Sequence, residues 1–220
     1  MSKLTNPWIN LPSNAPFVLP ADIDGIAKLN KTNNSNYKIQ TDSIPEPFIG
    51  PILSAKILLL ALNPGHSSDD FQWQNKLEFK NKMLENQKNG TTPFYLLDPA
   101  LKDSPAGRYW NQKLKNLIIK VGLEKVQNDI AVAQWLPYHS IKFQSPANFK
   151  LLPSQNFTFQ LVNHFIKKKG QVVVMRSYKI WKKNIKLPNN TIHLKNPLNP
   201  SVTENNMSKE DFKKLINILV

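Results

Sequence analysis

Along most of the chain the pattern of apolar and polar positions switches between two periods. Residues 56–62 (KILLLAL) form a continuous apolar run bounded by turn residues, the pattern of a strand buried on both faces. Residues 71–89 carry a helical pattern that stops at Gly90. A stronger helix is predicted over 107–123. There Trp110, Leu114, Leu117, Ile118 and Val121 share one face, and Gly122 is a natural C-terminal stop. Residues 129–136 (DIAVAQWL) predict a second buried strand. A third helix follows over 153–170, with Ser154 as its N-cap, Lys167 to Lys169 suited to its C-terminal dipole, and Gly170 as its end. Residues 171–175 predict a third strand, 178–184 a short helix and 191–195 a fourth strand. The last helix, 208–220, opens with Ser208 and Asp211 at capping-box spacing.

Strands that alternate with helices pair in parallel through right-handed crossovers. The expectation is a three-layer α/β/α sandwich, residues 51–220, around a central sheet of four parallel strands. Residues 1–50, rich in Pro, Asn and Ser, read as an extended arm with one short helix from about Asp22, anchored by Trp8, Phe17 and Phe48. In such sheets ligands bind beyond the carboxyl ends of the strands. Those ends are 63–67, 135–140, 176–178 and 196–199, all polar or aromatic, though a loop is polar by default.

The 220 residues suffice for one domain with a real core. Lys and Arg number 29 against 15 acidic residues, a formal charge of +14. Two readings fit that surplus: a polyanionic partner, nucleic acid ahead of a membrane surface, or a solvated surface in a lysine-rich chain. The absence of cysteine excludes disulfides, thiolate nucleophiles, Cys-zinc sites and iron–sulfur clusters. No apolar run reaches membrane-span length and the N-terminus lacks a signal-peptide pattern, so a cytoplasmic protein is expected.

Three stretches carry candidate chemistry. The run 61–67 (ALNPGHS) breaks a buried strand into Asn-Pro-Gly, which as a bare pattern reads first as a tight turn. It resembles the G-[IL]-N-P-G-x-S motif of the mismatch-specific uracil-DNA and thymine-DNA glycosylases. Residues 104–123 (SPAGRYWNQKLKNLIIKVGL) are similar to that family's P-A-N-R-F-W segment and following helix. Residues 193–201 (HLKNPLNPS) resemble the late H-P-S-P-L-[NS] motif of the wider uracil-DNA glycosylase superfamily. The matches come in family order and span roughly residues 56–220, leaving the arm uncovered.

The resemblance implies a base-flipping enzyme that hydrolyses an N-glycosidic bond in double-stranded DNA, with single-stranded DNA or RNA as alternative substrates, and with no cofactor or metal. A monomer without membrane contact is expected. By resemblance, Asn63 positions the attacking water. Leu62, Pro64, Gly65 and His66 line the base pocket, where backbone N–H groups face the base. Ser67 lies toward the DNA, and Arg108 either touches a phosphate or caps the rim of the site. Leu198 is the apolar wedge entering the duplex, and Asn196, Pro197, Asn199 and Ser201 surround it on the backbone side.

The chain also departs from the pattern. Lys102 and Asp103 stand where the family has its pocket aromatic, so Tyr95 or Phe94 becomes the stacking candidate. Gln134 takes the place of the base-reading Asn, beside Trp135, and Tyr138 or His139 could line the pocket. His193 sits inside a predicted strand and reads as a core histidine. His66 with Asp69 and Asp70 reads as a polar loop rather than a metal site. Two other readings stay open: a nucleic-acid-binding module that keeps the fold without catalysis, and a hydrolase of this fold acting on another nucleoside or an RNA base.

Overall fold

The computed structural model describes residues 4–143 and 150–220; the first three residues of the expected arm lie outside it. In chain order its elements are α1 (Ile23–Thr32), β1 (Phe48–Ile49), β2 (Ile57–Ala61), α2 (Asp70–Gln74), α3 (Leu77–Asn89), α4 (Pro105–Val121), α5 (Leu123–Asp129), β3 (Ile130–Gln134), α6 (Pro153–Lys167), β4 (Gln171–Val174), α7 (Tyr178–Asn184), β5 (Ile192–His193) and α8 (Lys209–Leu219). Among the described residues no helix is long and apolar enough to cross a membrane.

The strands form one sheet in the order β1-β3-β2-β4-β5. Four of them are parallel, as expected: β2 lies between β3 and β4, and β5 pairs with β4. Among the described residues the expected count of four is corrected to five. Phe48 and Ile49 pair antiparallel with Val132 and Ala133 at the sheet edge. Two residues are too few for a periodic signal. The turn after them depends on Gly50, whose φ is 83° and whose Cβ would sit 2.8 Å from Ile130 O.

Alternation along the strands divides the core. Ile57 and Leu59 of β2 and Val132 of β3 pack with Met83, Trp110, Leu114 and Leu215 on one face. Leu58 and Leu60 pack with Ile26, Phe159 and Trp181 on the other. Helices therefore cover both faces of the sheet, an α/β sandwich. The chain leaves β2 toward the first face, and leaves β3 and β4 toward the second. In such sheets, loops that depart to opposite faces mark the place where a ligand is expected, here the crevice position at the carboxyl ends of the adjacent strands β2 and β4.

Helix starts differ from expectation for local reasons. The pattern over 71–89 is two helices, split where Lys76 is extended. Helix α4 begins at Pro105, because Ser104 Oγ accepts the Gly107 N–H at 2.9 Å and caps it. Ser154 is not the N-cap of α6. Leu152 holds that position, Gln155 Oε1 accepts the Leu152 N–H, and Asp22 Oδ1 accepts the Ser154 N–H from 132 residues away. Ser208 does cap α8 through the Asp211 N–H. Helix α5 was not expected. In the N-terminal segment Trp8, Phe17 and Phe48 are all buried; α1 is the short helix expected from about Asp22, and β1 is an element the sequence did not suggest.

Candidate functional site

Beyond their strands, the loops after β2 and β3 stay laced together. Ala61 O, Leu62 O and Pro64 O accept from the N–H groups of Trp135, Leu136 and Ser140. Asn63 sits in this lacing, half-buried. Its Nδ2 donates to Pro64 O at 2.9 Å and to Ser140 Oγ at 2.9 Å, with a longer contact to Tyr138 O at 3.5 Å. All three contacts use Nδ2. Oδ1 has no partner among the described residues and reaches solvent. The N–H groups of Gly65 and His66 also lack a protein acceptor among the described residues. A free acceptor and two free donors thus stand within four consecutive residues.

Histidines brace this loop from behind. His139 is buried, with Nδ1 2.6 Å from Gly65 O and Nε2 2.9 Å from Ile44 O. Both partners are carbonyl oxygens, which only accept. His66 Nδ1 lies 3.3 Å from Ser43 Oγ and 3.8 Å from Asp70 Oδ2. Burial lowers the His66 pKa, opposed by the Asp70 carboxylate. Asp70 Oδ2 also accepts the Ser67 N–H at 2.7 Å, while Ser67 Oγ is buried without a partner. Ligand atoms of His66, Asp70 and His139 lie within 4.8 Å of one another. They could hold a cation only if His139 gave up a carbonyl. Asp69 points elsewhere: it is exposed, takes the Ser68 hydroxyl and stands 4.0 Å from Arg108.

The remaining expected pocket residues are placed differently from one another. Gln134 ends β3 in register with Ala61; it is 3% exposed, and its Oε1 is buried without a partner. Trp135 belongs to the core of the second face and donates to Asn184 Oδ1 at 3.1 Å. Leu62 packs at the margin of the same core, and Pro64 is buried. Tyr138 is buried with its hydroxyl on Asp22 Oδ2 at 2.7 Å. Phe94 is fully buried against Trp110. Tyr95 is buried, and its hydroxyl donates to Glu46, whose own pKa burial raises. Burial and the neighbouring Glu46 carboxylate hold the Tyr95 hydroxyl well above the usual range. Arg108 is exposed and donates to Asp103 O.

The loop after β5 is firmly built. Asn196 Oδ1 accepts the N–H groups of Leu198 and Asn199, at 3.0 and 3.1 Å. Asn206 accepts the Asn196 N–H and donates to Asn199 O and Ser201 O. Ser201 Oγ donates to Asn199 Oδ1, which also takes Lys113 Nζ at 2.7 Å. Burial, and then the nearby Arg176, lower the Lys113 pKa. Arg176 Nη2 donates to Leu198 O at 3.1 Å. Pro197 and Leu198 are exposed, Leu198 by 89%. His193 is not a core residue. On the edge strand β5, Ile192 and Leu194 point inward and His193 outward, edge-on to Tyr178 at 4.6 Å.

Ser140, Glu46, Lys113, Arg176 and Asn206 support the site without having been singled out from sequence. Ser140 and Arg176 do lie at expected strand ends; Glu46 sits between two prolines with no pattern around it. Compared with family models, curated proteins and solved structures, the chain matches none.

Proposed function

We propose that the chain is a monofunctional DNA N-glycosylase with a uracil-DNA glycosylase-like fold, which excises a flipped uracil-type or otherwise damaged base. The observation that carries this reading is the state of Asn63. Its amide nitrogen is held by Pro64 O and Ser140 Oγ, which leaves Oδ1 as a fixed, open acceptor at the strand ends.

The chemistry follows from that placement. A base inside a duplex cannot be attacked, so it is extruded into the crevice. Asn63 Oδ1 accepts a hydrogen bond from a water and orients its oxygen toward C1′ of the sugar. The C1′–N bond breaks, its electron pair leaves with the base, and the water oxygen bonds C1′ as it gives a proton to solvent, from which the base anion takes one up. The free N–H groups of Gly65 and His66 donate to the negative charge growing on the base. Gln134 offers a buried amide for the base edge, since one end of that amide has no protein partner. Leu198 fills the space the base vacates, on a loop that Asn196 and Asn206 hold in shape. An amide is a weak base, so turnover is slow and favours good leaving groups.

One observation favours the binding module instead. Clefts of about 560 Å³ beside α1 and about 390 Å³ beside α7 are lined by neither Asn63, Gln134 nor His139. The test is single-turnover cleavage of duplexes carrying uracil opposite guanine or adenine, hypoxanthine, or thymine opposite guanine. Abasic product that disappears in Asn63→Ala is the expected result. Tight duplex binding without product on any of them would replace the enzyme by the binding module.

A further inference from the structure

The positive charge of this chain is concentrated. From Ile130 to Thr203 the sequence holds no Asp or Glu, yet it holds ten Lys and Arg176. That segment carries +11 of the formal +14; the rest, 18 basic against 15 acidic residues, carries +3. It spans β3 to the Leu198 loop, and so includes the carboxyl ends of three parallel strands.

Within it, α7 and the residues that follow form a built surface. Lys179, Lys182, Lys183 and Lys186 are all exposed. The cleft of about 390 Å³ is lined by Tyr178, Lys182, Lys183, Asn184, Lys186 and their apolar neighbours. These lysines join no ion pair among the described residues, whereas Lys56 and Lys82 elsewhere have carboxylate partners. Like charges crowded without counter-charges are stabilised by a polyanion that releases their counterions. The surface is also continuous with the wedge loop. Arg176, two residues before α7, donates to Leu198 O. Tyr178, 40% exposed, packs on His193 of β5, and Lys182 Nζ lies 5.7 Å from the Tyr178 ring centre.

We propose that the cleft along α7 is a DNA-backbone track, which takes the phosphates of the duplex flanking Leu198 on the β4–β5 side. This rests on the nucleic-acid reading of the site and is independent of catalysis. The Lys head groups act as point charges on phosphate, so the track carries no sequence preference.

The test is equilibrium binding of the full chain to one undamaged duplex across a salt series. Wild type is compared with Lys182→Gln/Lys183→Gln/Lys186→Gln and with a control, Lys120→Gln/Lys167→Gln/Lys169→Gln. The control residues lie near the ends of α4 and α6, with Lys167 and Lys169 at the amino end of β4. Each lost phosphate contact lowers the slope of log K against log salt by roughly 0.9. The track variant is expected to lose about 2 to 3 units of slope, with the control close to wild type and both melting as wild type does.

Equal slopes for wild type and track variant would overturn the proposal. So would an equal drop in both variants, which assigns the effect to total charge. Loss of binding to phosphatidylserine vesicles with an unchanged DNA slope would move the surface to a membrane partner. A wild type without duplex affinity would overturn the track together with the nucleic-acid reading. A slope change in a protein that cleaves no duplex would leave the track standing while removing the glycosylase.

Discussion

Asn63 Nδ2 donates to Ser140 Oγ at 2.9 Å, joining residues 77 apart in sequence. This bond crosses from the loop after β2 to the loop after β3 and, with Pro64 O, fixes which end of the Asn63 amide faces outward. Ser140→Ala removes one of the two close acceptors and leaves the fold's backbone lacing intact. The expected single-turnover rate falls roughly five- to tenfold, the size of one hydrogen bond. Asn63→Ala is expected to fall by about 100-fold or more, since the water then has no fixed acceptor. A Ser140→Ala rate equal to wild type would remove Ser140 from the positioning of Asn63.

Two glycines in the similar motifs do different things, and substitution separates them. A Cβ on Gly107 would stand 2.1 Å from Leu101 O and 2.8 Å from Ser104 Oγ, so α4 packs its first turn directly on the preceding backbone. Gly107→Ala is expected to destabilise by about 3 kcal/mol, read by urea unfolding. A Cβ on Gly65 would meet nothing within 4 Å, and its φ is not in the left-handed region. Gly65→Ala is expected to change stability by less than about 1 kcal/mol. If DNA approaches the backbone there, its cleavage rate falls all the same. Full activity in Gly65→Ala would mean that no ligand comes close to this glycine.

What could be read from the sequence followed the strength of local signals. The continuous apolar runs gave β2, β3 and β4 to within a residue or two, because strands buried on both faces contain little else. Helix α4 was legible from its apolar stripe, and α8 from its Ser208 cap. β1 was not, since two residues have no period, and the Asp22 carboxylate that holds the Ser154 N–H is a contact no local pattern encodes. At the site, the sequence pointed to Asn63, His66 and the Leu198 loop. It could not reveal that Phe94, Trp135 and Tyr138 are core residues, because aromatic side chains suit a pocket wall and a core equally well.

Leu198 offers a test free of folding effects. It is 89% exposed, so Leu198→Ala removes no packing and is expected to leave Tm unchanged. Duplex cleavage is expected to fall about tenfold or more, while a single-stranded substrate, which needs no wedge, is cleaved at the wild-type rate. Asn206→Ala supplies the contrast. It deletes three hydrogen bonds that shape the loop and is expected to lower stability by about 1–3 kcal/mol along with activity. Equal loss on both substrates in Leu198→Ala would rule out the wedge role.

Glu46 makes the interior behind the site sensitive to pH. Burial raises its pKa, Asp70 pushes the same way, and His139 and the Tyr95 hydroxyl oppose them. The folded protein therefore holds this proton more tightly than the unfolded chain. The resulting stabilisation is complete below the unfolded carboxyl value, about 4.3, and is lost as pH rises through the raised folded value. Glu46→Gln does not titrate and keeps an oxygen to accept the Tyr95 hydroxyl. Urea unfolding of both proteins from about pH 4 to about pH 8 is expected to show wild type losing stability relative to Glu46→Gln as pH rises, then levelling. His66, lowered by burial, is common to both proteins and cancels in that difference. A difference that stays flat across the range would mean that Glu46 titrates alike in the folded and unfolded chain.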